Sequence, residues 1–236
     1  MKKVAAVFRK EFRLYFSQPL AYIFIAVFLV AANFIFLQNF FLFAQASMGS
    51  FFGFLPWIFL ILIPAFSMRL ISEEKKLGTI EFILTNPIKD FEFLFGKFLA
   101  AVAVLGISLL GAVPVAIGIN FFGSPDNGVI FAGFIASLFL AASFISISLF
   151  ASSLTDNQII AFVLGILFCF GFLIVGQDFF AAAFGGSVAD FFVAIGISEH
   201  FDSMARGLFD SRDLIYFGSL ISFFSFLTLQ VLRKRN

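Results

Sequence analysis

Charged residues in this chain stand in clusters, and the stretches between the clusters are long, apolar and free of charge. A helix needs about 20 residues to cross a hydrocarbon core roughly 30 Å thick. The first charge-free run is long enough for two such helices, separated by a polar middle, Gln38 to Ser50, that we predict to be a loop. The spacing of charge therefore predicts six transmembrane helices. The runs are Pro19 to Met68, Phe98 to Pro125, Asn127 to Thr155, Asn157 to Gln177 and Leu214 to Leu232.

Composition supports this interpretation. Of the 236 residues, 61% are hydrophobic, and the mean hydropathy is +1.08, whereas an ordinary globular domain is about 45–50% apolar. A water-soluble domain of this size could not bury so much apolar surface. The net charge of +1 gives no basic field to attract nucleic acid. We expect an all-α integral membrane protein, a single domain over residues 1–236 that contacts membrane lipids and no nucleic acid.

The basic residues set the expected orientation. Five of them lie in residues 2–13, five in residues 69–97 and three in residues 233–235. Cytoplasmic loops of membrane proteins carry the excess of Lys and Arg. With six spans, both termini and the loop between spans two and three are predicted to be cytoplasmic.

Residues 1–18 have the pattern of an amphipathic helix that lies in the plane of the membrane surface. Val4, Phe8, Phe12 and Tyr15 recur at helical spacing, and the basic residues lie largely off that stripe. Such a helix buries its apolar face at the lipid boundary and turns its cations toward anionic headgroups. The alternative is a plain cytoplasmic start to the first span. The residues assigned to this interfacial helix are Phe8, Arg9, Lys10, Phe12 and Arg13.

Residues 71–87 predict a short helix with two faces between spans two and three. Ser72 is a suitable N-cap, and Glu73 and Glu74 follow it where the positive end of a helix favours carboxylates. At about 100° per residue, positions 74, 78, 81 and 85 share one face, and positions 77, 80 and 84 line another. The segment suits either a helix between the membrane and a soluble partner or a solvated connector, and its spacing does not choose between them.

Within the segment 178–212, the stretch Asp178 to Ser198 is apolar enough to suggest a seventh span, but Asp178, Asp190 and the Gly185-Gly186 pair interrupt it. A carboxylate at the centre of a span costs about 2.5–3.5 kcal/mol on insertion scales. A seventh span would also place the basic C-terminus outside. We predict one or two short helices packed at, or dipping into, the outer face before span six.

The remaining polar residues predict no metal site and no catalytic centre. Glu199, His200 and Asp202 could be metal ligands, but one histidine among carboxylates in a wet loop is more often a local hydrogen-bonding cluster. Polar residues near the ends of spans either line a path for substrate or sit at the membrane interface. These residues are Asn33, Asn120, Gln177 and Asp178.

Two stretches resemble the ABC-2 type transporter permeases. The loop after span two reads ExxxGTxExxLTxP from Glu74 to Pro87, and the opening reads KEFRLYFSQPLAY from Lys10 to Tyr22. The gliding-motility branch of the family is the most similar, on EHFDSMARG from Glu199 to Gly207 and DSRD from Asp210 to Asp213. The resemblance covers nearly the whole chain, although the helical middle matches only by hydropathy.

The resemblance implies a permease subunit in a bacterial inner membrane, working as a homodimer or heterodimer with a separate ATPase subunit that binds ATP and Mg²⁺. Residues 1–18 correspond to the elbow helix and residues 71–87 to the coupling helix that docks on the ATPase. The direction of transport would be export, with a link to gliding motility. The implied ATPase contacts are Glu73, Glu74, Gly78, Thr79, Glu81, Leu84 and Thr85.

The sequence contains no phosphate-binding motif of the GxxxxGK[ST] type, whose backbone amides cradle nucleotide phosphates. We therefore expect this chain to be no enzyme and to hold no cofactor. Two alternatives to the permease remain. One is a secondary transporter or channel, for which the spans lack the usual deep ionisable residues. The other is a membrane scaffold of a motility or secretion machine.

Overall fold

The computed structural model describes residues 2–43, 47–78, 89–177 and 186–234, and regular structure in these ranges is entirely helical. The helices follow the charge-free runs, because an apolar segment in lipid must satisfy its backbone hydrogen bonds internally. They are α1 (Lys2–Ser17), α2 (Leu20–Phe43), α3 (Gly49–Ser67), α4 (Arg69–Lys76), α5 (Asp90–Leu110), α6 (Val113–Ile119), α7 (Asn127–Leu154), α8 (Gln158–Val175), α9 (Gly186–Ile195), α10 (Ile197–Ala205) and α11 (Ser211–Arg233).

Six segments of the described chain are long and apolar enough to cross a membrane, which confirms the predicted fold class. Spans 1, 4, 5 and 6 are formed by α2, α7, α8 and α11. Span 2 joins α3 to α4, and span 3 joins α5 to α6. The segments are Leu20–Leu42, Gly49–Lys76, Asp90–Ile119, Asn127–Leu154, Gln158–Val175 and Ser211–Arg233.

The loop predicted from Gln38 to Ser50 is too long. Helix α2 continues through the polar residues Gln38 and Asn39 to Phe43, and α3 already begins at Gly49. The physical reason is local, because Asn39 Nδ2 donates to the backbone O of Ile35 at 2.9 Å. A side chain that returns its hydrogen bond to its own helix does not need to leave the helix.

Two spans are interrupted. Span 2 changes from α3 to α4 at Met68, and span 3 changes from α5 to α6 at Gly111 and Ala112. Pro114 lies in the first turn of α6, where its missing N–H costs no helical hydrogen bond. Span 3 therefore restarts as a new helix at this proline.

Helix α7 is the centre of the bundle and packs against α3, α4, α5, α8, α10 and α11. Small side chains allow this close packing, and several buried serines return their hydrogen bonds to their own helix. Ser137 Oγ donates to Gly133 O at 2.6 Å, and Ser146 Oγ donates to Ser143 O at 2.8 Å. The fully buried serines of α7 are Ser137, Ser143, Ser146, Ser148, Ser152 and Ser153.

The bundle has two ends of different character. The basic end holds α1, α4, the start of α5 and the end of α11, where Arg233 Nε lies 3.7 Å from Asp90 Oδ2. The opposite end holds two short helices before span 6, α9 and α10, where one or two were predicted. Residues 178–185, which begin the segment predicted at 178–212, lie outside the described residues.

Candidate functional site

Helix α1 carries a buried stripe that includes a carboxylate. Val7, Glu11 and Tyr15, each four residues from the next, are buried, whereas Arg9, Lys10 and Arg13 are exposed. The predicted apolar residues Phe8 and Phe12 are half-buried and stack with ring centroids 5.6 Å apart. The amphipathic helix is therefore present, but its inner face packs on protein, chiefly on α5.

The contact between α1 and α5 requires a glycine. A Cβ atom on Gly96 of α5 would lie 2.7 Å from the Cβ of Val7. Contacts between carbon atoms are favourable at about 3.5–4.0 Å, so a larger residue at position 96 would push the two helices apart. This close approach brings the next residue, Lys97, under α1.

Lys97 is a buried cation between two carboxylates. Its Nζ lies 3.3 Å from Glu11 Oε2 of α1 and 3.0 Å from Glu74 Oε1 of α4, and its side chain is only 3% exposed. The ammonium also lies 5.1 Å from the centre of the Phe93 ring, close enough for a cation–π attraction. Glu11, Glu74 and Lys97, called the triad below, tie three helices together at the basic end.

Tyr15 borders the triad. Burial raises the pKa of the Tyr15 phenol well above its ordinary value, and the charges of Glu11 and Glu74 raise it further. The hydroxyl therefore stays neutral, and it has no hydrogen-bond partner among the described residues. A cavity of about 160 Å³ lies against it, lined by residues of α1, α4 and α5 that include the triad and Glu73.

Ser152 of α7 forms hydrogen bonds with backbone groups at the interruption between α3 and α4. Its Oγ accepts hydrogen bonds from the backbone N–H of Ile71 at 3.1 Å and of Ser72 at 3.0 Å, and it donates to Met68 O at 2.9 Å. The first N–H groups of a helix lack partners within the helix, and here a side chain from another span supplies one. Lys75 Nζ donates to the backbone O of Ser153, so α4 is fixed to the end of span 4.

Ser72 is not an N-cap, contrary to the sequence prediction. It lies inside α4, fully buried, and its Oγ donates to Met68 O. The helix begins earlier, at Arg69, because Ser152 stabilises its first turn.

The helix predicted over residues 71–87 does not continue through Gly78. Helix α4 ends at Lys76, and Gly78 has a φ of +68°, a left-handed conformation that suits glycine after a helix end. Glu74 and Gly78 therefore do not share one helical face. Glu73 lines the cavity and Glu74 contacts Lys97, while Leu77 is 67% exposed. The other predicted contacts, Thr79, Glu81, Leu84 and Thr85, lie outside the described residues.

A comparison with protein families decides the class of this bundle. A family model described as ABC-2 family transporter protein matches residues 5–191, which include the triad and the first five spans. The chain belongs to the ABC-2 transporter family. It is therefore a multi-pass membrane permease of a family that works with ATPase partners. No curated protein matches the chain.

Two of the residues considered for a substrate path in this ABC-2 permease take different hydrogen-bond partners. Asn120 Nδ2 donates to Ala116 O at 3.1 Å and its Oδ1 accepts from Asn127 at 3.1 Å. Gln177 donates to Ser198 Oγ at 2.8 Å. Asn33 lies within α2, and Asp178 is outside the described residues.

Of the residues considered as metal ligands, His200 pairs with Asp213 of α11. The described residues contain no group of three His, Cys, Asp or Glu side chains placed to hold an ion.

Proposed function

We propose that this ABC-2 permease couples ATP hydrolysis by a separate ATPase chain to export of a substrate, and that the triad transmits the movement. The observation that supports this is Lys97, a buried cation that holds α1 and α4 through Glu11 and Glu74. Residues 79–88 lie between α4 and α5 in the chain. A force applied to that segment would act on two helices already joined by the triad.

The energetics favour a rigid joint. Removing one partner of a buried ion pair costs about 3–5 kcal/mol, because the other charge is left uncompensated. The Ser152 hydrogen bonds join α4 to span 4 as well. Displacement of α4 would therefore move spans 2, 3 and 4 together and shift the balance between two arrangements of the permease.

The docking surface proposed for the ATPase comprises Glu73, Gly78, Thr79, Glu81, Leu84 and Thr85. Glu74 is reassigned to positioning, because its contact with Lys97 turns it inward. The exposed Leu77 joins the surface, since it leads directly into residues 79–88. In this proposal ATP and Mg²⁺ bind the partner chain, and the permease acts as a homodimer or heterodimer.

The proposed setting is a bacterial inner membrane with the basic end in the cytoplasm, as the Lys and Arg excess predicts. Single cysteines replacing Ser47, Ser124 and Ser203 in a Cys169-free chain should then react with an impermeant reagent added from outside. Ser17→Cys, at the exposed end of α1, should react only after the membrane is opened. Labelling of position 17 from outside would show that the basic end faces outward, contrary to the proposed orientation.

A link to gliding motility is proposed on the resemblance of residues 199–207 and 210–213 alone. A secondary transporter or a scaffold would show no ATPase dependence. Affinity purification of the tagged permease from detergent, followed by mass spectrometry, should recover an ATPase chain. Recovery of none under conditions that keep the permease folded would contradict the proposed function.

The role of the triad is tested separately. In the purified complex, Lys97→Met should keep ATPase binding but lose most of the stimulation of ATP hydrolysis by the permease. Lys10→Met is the matched control, because Lys10 is exposed and lies 4.0 Å from the same carboxylate, Glu11. Glu81→Lys should instead reduce recovery of the ATPase. Unchanged stimulation in Lys97→Met would exclude the triad as the transmitting element.

A further inference from the structure

His200 lies at the opposite end of the bundle and links three helices. Its Nδ1 is 2.7 Å from Oδ1 of Asp213 at the start of α11, and its Nε2 is 3.1 Å from the backbone O of Ala194 in α9. The imidazole stacks on the ring of Tyr216, with centroids 4.0 Å apart and planes at 20°. The Tyr216 hydroxyl donates to Ile195 O. One side chain of α10 thus contacts both neighbouring helices.

Both hydrogen-bond partners of the imidazole are acceptors. A backbone carbonyl and an ionised carboxylate can only accept, and a neutral imidazole has a single N–H to donate. Two hydrogens are therefore needed for the two contacts, and imidazolium supplies both. We propose that His200 and Asp213 form a proton-binding site, in which the protonated ring fastens α10 to α9 and α11 together.

The surroundings of Asp213 favour the imidazolium–carboxylate form. The Asp213 residue is 5% exposed, and its Oδ2 is buried without a hydrogen-bond partner among the described residues. A buried carboxylate needs a compensating charge, and His200 is the side chain in contact with it. The stacked Tyr216 ring adds an aromatic face next to the cation.

Other titratable groups around the pair are few. Helices α3, α7 and α8 pack against α10, and the sequences of these three helices contain one titratable side chain, Cys169. Helix α9 contains one, Asp190, four residues before Ala194. The remaining charged groups of α10 and of the start of α11 are Glu199, Asp202, Arg206, Asp210 and Arg212.

Loss of the proton should break one contact and keep the other. If Nε2 loses its hydrogen, the Nδ1–H still donates to the carboxylate of Asp213, and a lone pair faces the carbonyl of Ala194. If Nδ1 loses its hydrogen instead, a lone pair faces an anion at the shorter distance of 2.7 Å. The second outcome is the more repulsive, because the acceptor carries a full charge. The hydrogen bond to Ala194 is therefore the one that needs the second proton, while the Tyr216 hydroxyl contacts Ile195 of α9 independently of it.

The chain has a single histidine, so ¹⁵N-histidine labelling reports on this site alone in the full-length protein in detergent micelles. At about pH 7, both ring nitrogens should show the signals of protonated nitrogen, because each faces an acceptor. A ring with one unprotonated nitrogen would overturn the proposal.

Two variants sharpen the test. Asp213→Asn removes the compensating charge, so one ring nitrogen should be unprotonated in this variant. Tyr216→Phe keeps the stacked ring and removes only the hydroxyl contact to Ile195, so both ring nitrogens should stay protonated. If Asp213→Asn does not fold, the spectrum of the unmodified chain alone decides. Two protonated nitrogens in folded Asp213→Asn, or an unprotonated one in Tyr216→Phe, would contradict the assigned site.

Discussion

The two ends of the bundle hold cations in different surroundings. At the basic end, the Lys97 side chain is 3% exposed and contacts carboxylates from two other helices. At the opposite end, the His200 side chain is 15% exposed and pairs with one carboxylate. A charge removed from water must be balanced where it lies. The more deeply buried side chain contacts two carboxylates, and the less deeply buried one contacts a single carboxylate.

Lys97→Met should have the largest effect on stability. It leaves Glu11 and Glu74 buried beside each other without their cation, which should lower the free energy of unfolding by about 3–5 kcal/mol. Thermal unfolding in detergent measures the change. Adding Glu11→Gln and Glu74→Gln removes the unbalanced charges, so most of the loss should be recovered. If the triple variant is no more stable than Lys97→Met, unbalanced charge is not the cause.

Each end of the bundle has a tightly packed glycine, Gly96 at the basic end and Gly196 at the opposite end. A Cβ on Gly196 would lie 2.0 Å from the backbone Cα of Gly176, whereas a Cβ on Gly96 would meet a side chain at 2.7 Å. Overpacking costs about 1–3 kcal/mol and occasionally more. Gly196→Ala should therefore destabilise more than Gly96→Ala in the same unfolding assay.

Gly118→Ala provides the control for both, because nothing lies within 4 Å of its added Cβ. Alanine is also the better helix former by about 0.8–1.0 kcal/mol. This variant should be neutral or slightly stabilising. A loss of stability equal to that of Gly96→Ala would mean that helix packing is not what the glycines serve.

Ser152→Ala should have a moderate effect at the basic end. It leaves two buried backbone N–H groups, those of Ile71 and Ser72, without the side-chain acceptor, and an unsatisfied buried group costs about 1–3 kcal/mol. The adjacent Ser153→Ala removes a hydroxyl that bonds only to Phe150 O of its own helix. Equal effects of the two substitutions on stability would show that the Ser152 hydrogen bonds do not stabilise the contact between α4 and α7.

Asp210→Asn should show the smallest effect, and only in acid. Asp210 caps α11, and hydrogen bonds, chiefly from the backbone N–H of Arg212, hold its pKa below the ordinary value. Its contribution to stability is therefore present above its unfolded-state pKa and is lost as the pH falls through the folded-state pKa. Asparagine caps a helix about equally well, so the variant should match the unmodified chain at neutral pH and lose less stability in acid. Identical acid profiles would contradict this origin of the shift.

Much of the fold could be predicted from local sequence. The charge-free runs lead to six spans, because hydrocarbon tolerates few charges over the length of a helix. The ends of α2 and α4 could not be predicted as well. Asn39 satisfies its side-chain amide within α2. The first turns of α4, which begins at Arg69, are stabilised because the backbone N–H of Ser72 donates to Ser152, 80 residues away in the chain. Sequence spacing cannot predict a hydrogen-bond acceptor that lies on another span.

The candidate site was only half visible in the sequence. The acidic loop after span 2 could be identified from its motif, but the inward position of Glu74 depends on Lys97, which follows on another helix. A signal was present in α1, where Glu11 occupies the same stripe as Val7 and Tyr15. A carboxylate on the buried face of a helix requires a cation nearby, and the sequence places Lys97 directly before the apolar run that begins at Phe98.

The described residues give helix α7 polar attachments to other helices near its two ends. Ser152 and the Ser153 carbonyl hold it to α4, and Asn127 donates to Asn120 at the opposite end. Between them, Ser137 and Ser146 bond to their own helix, and Ser148 makes a 3.9 Å contact with the sulfur of Cys169. Along this middle stretch the neighbouring helices can change their crossing angles without breaking a short hydrogen bond to these serines.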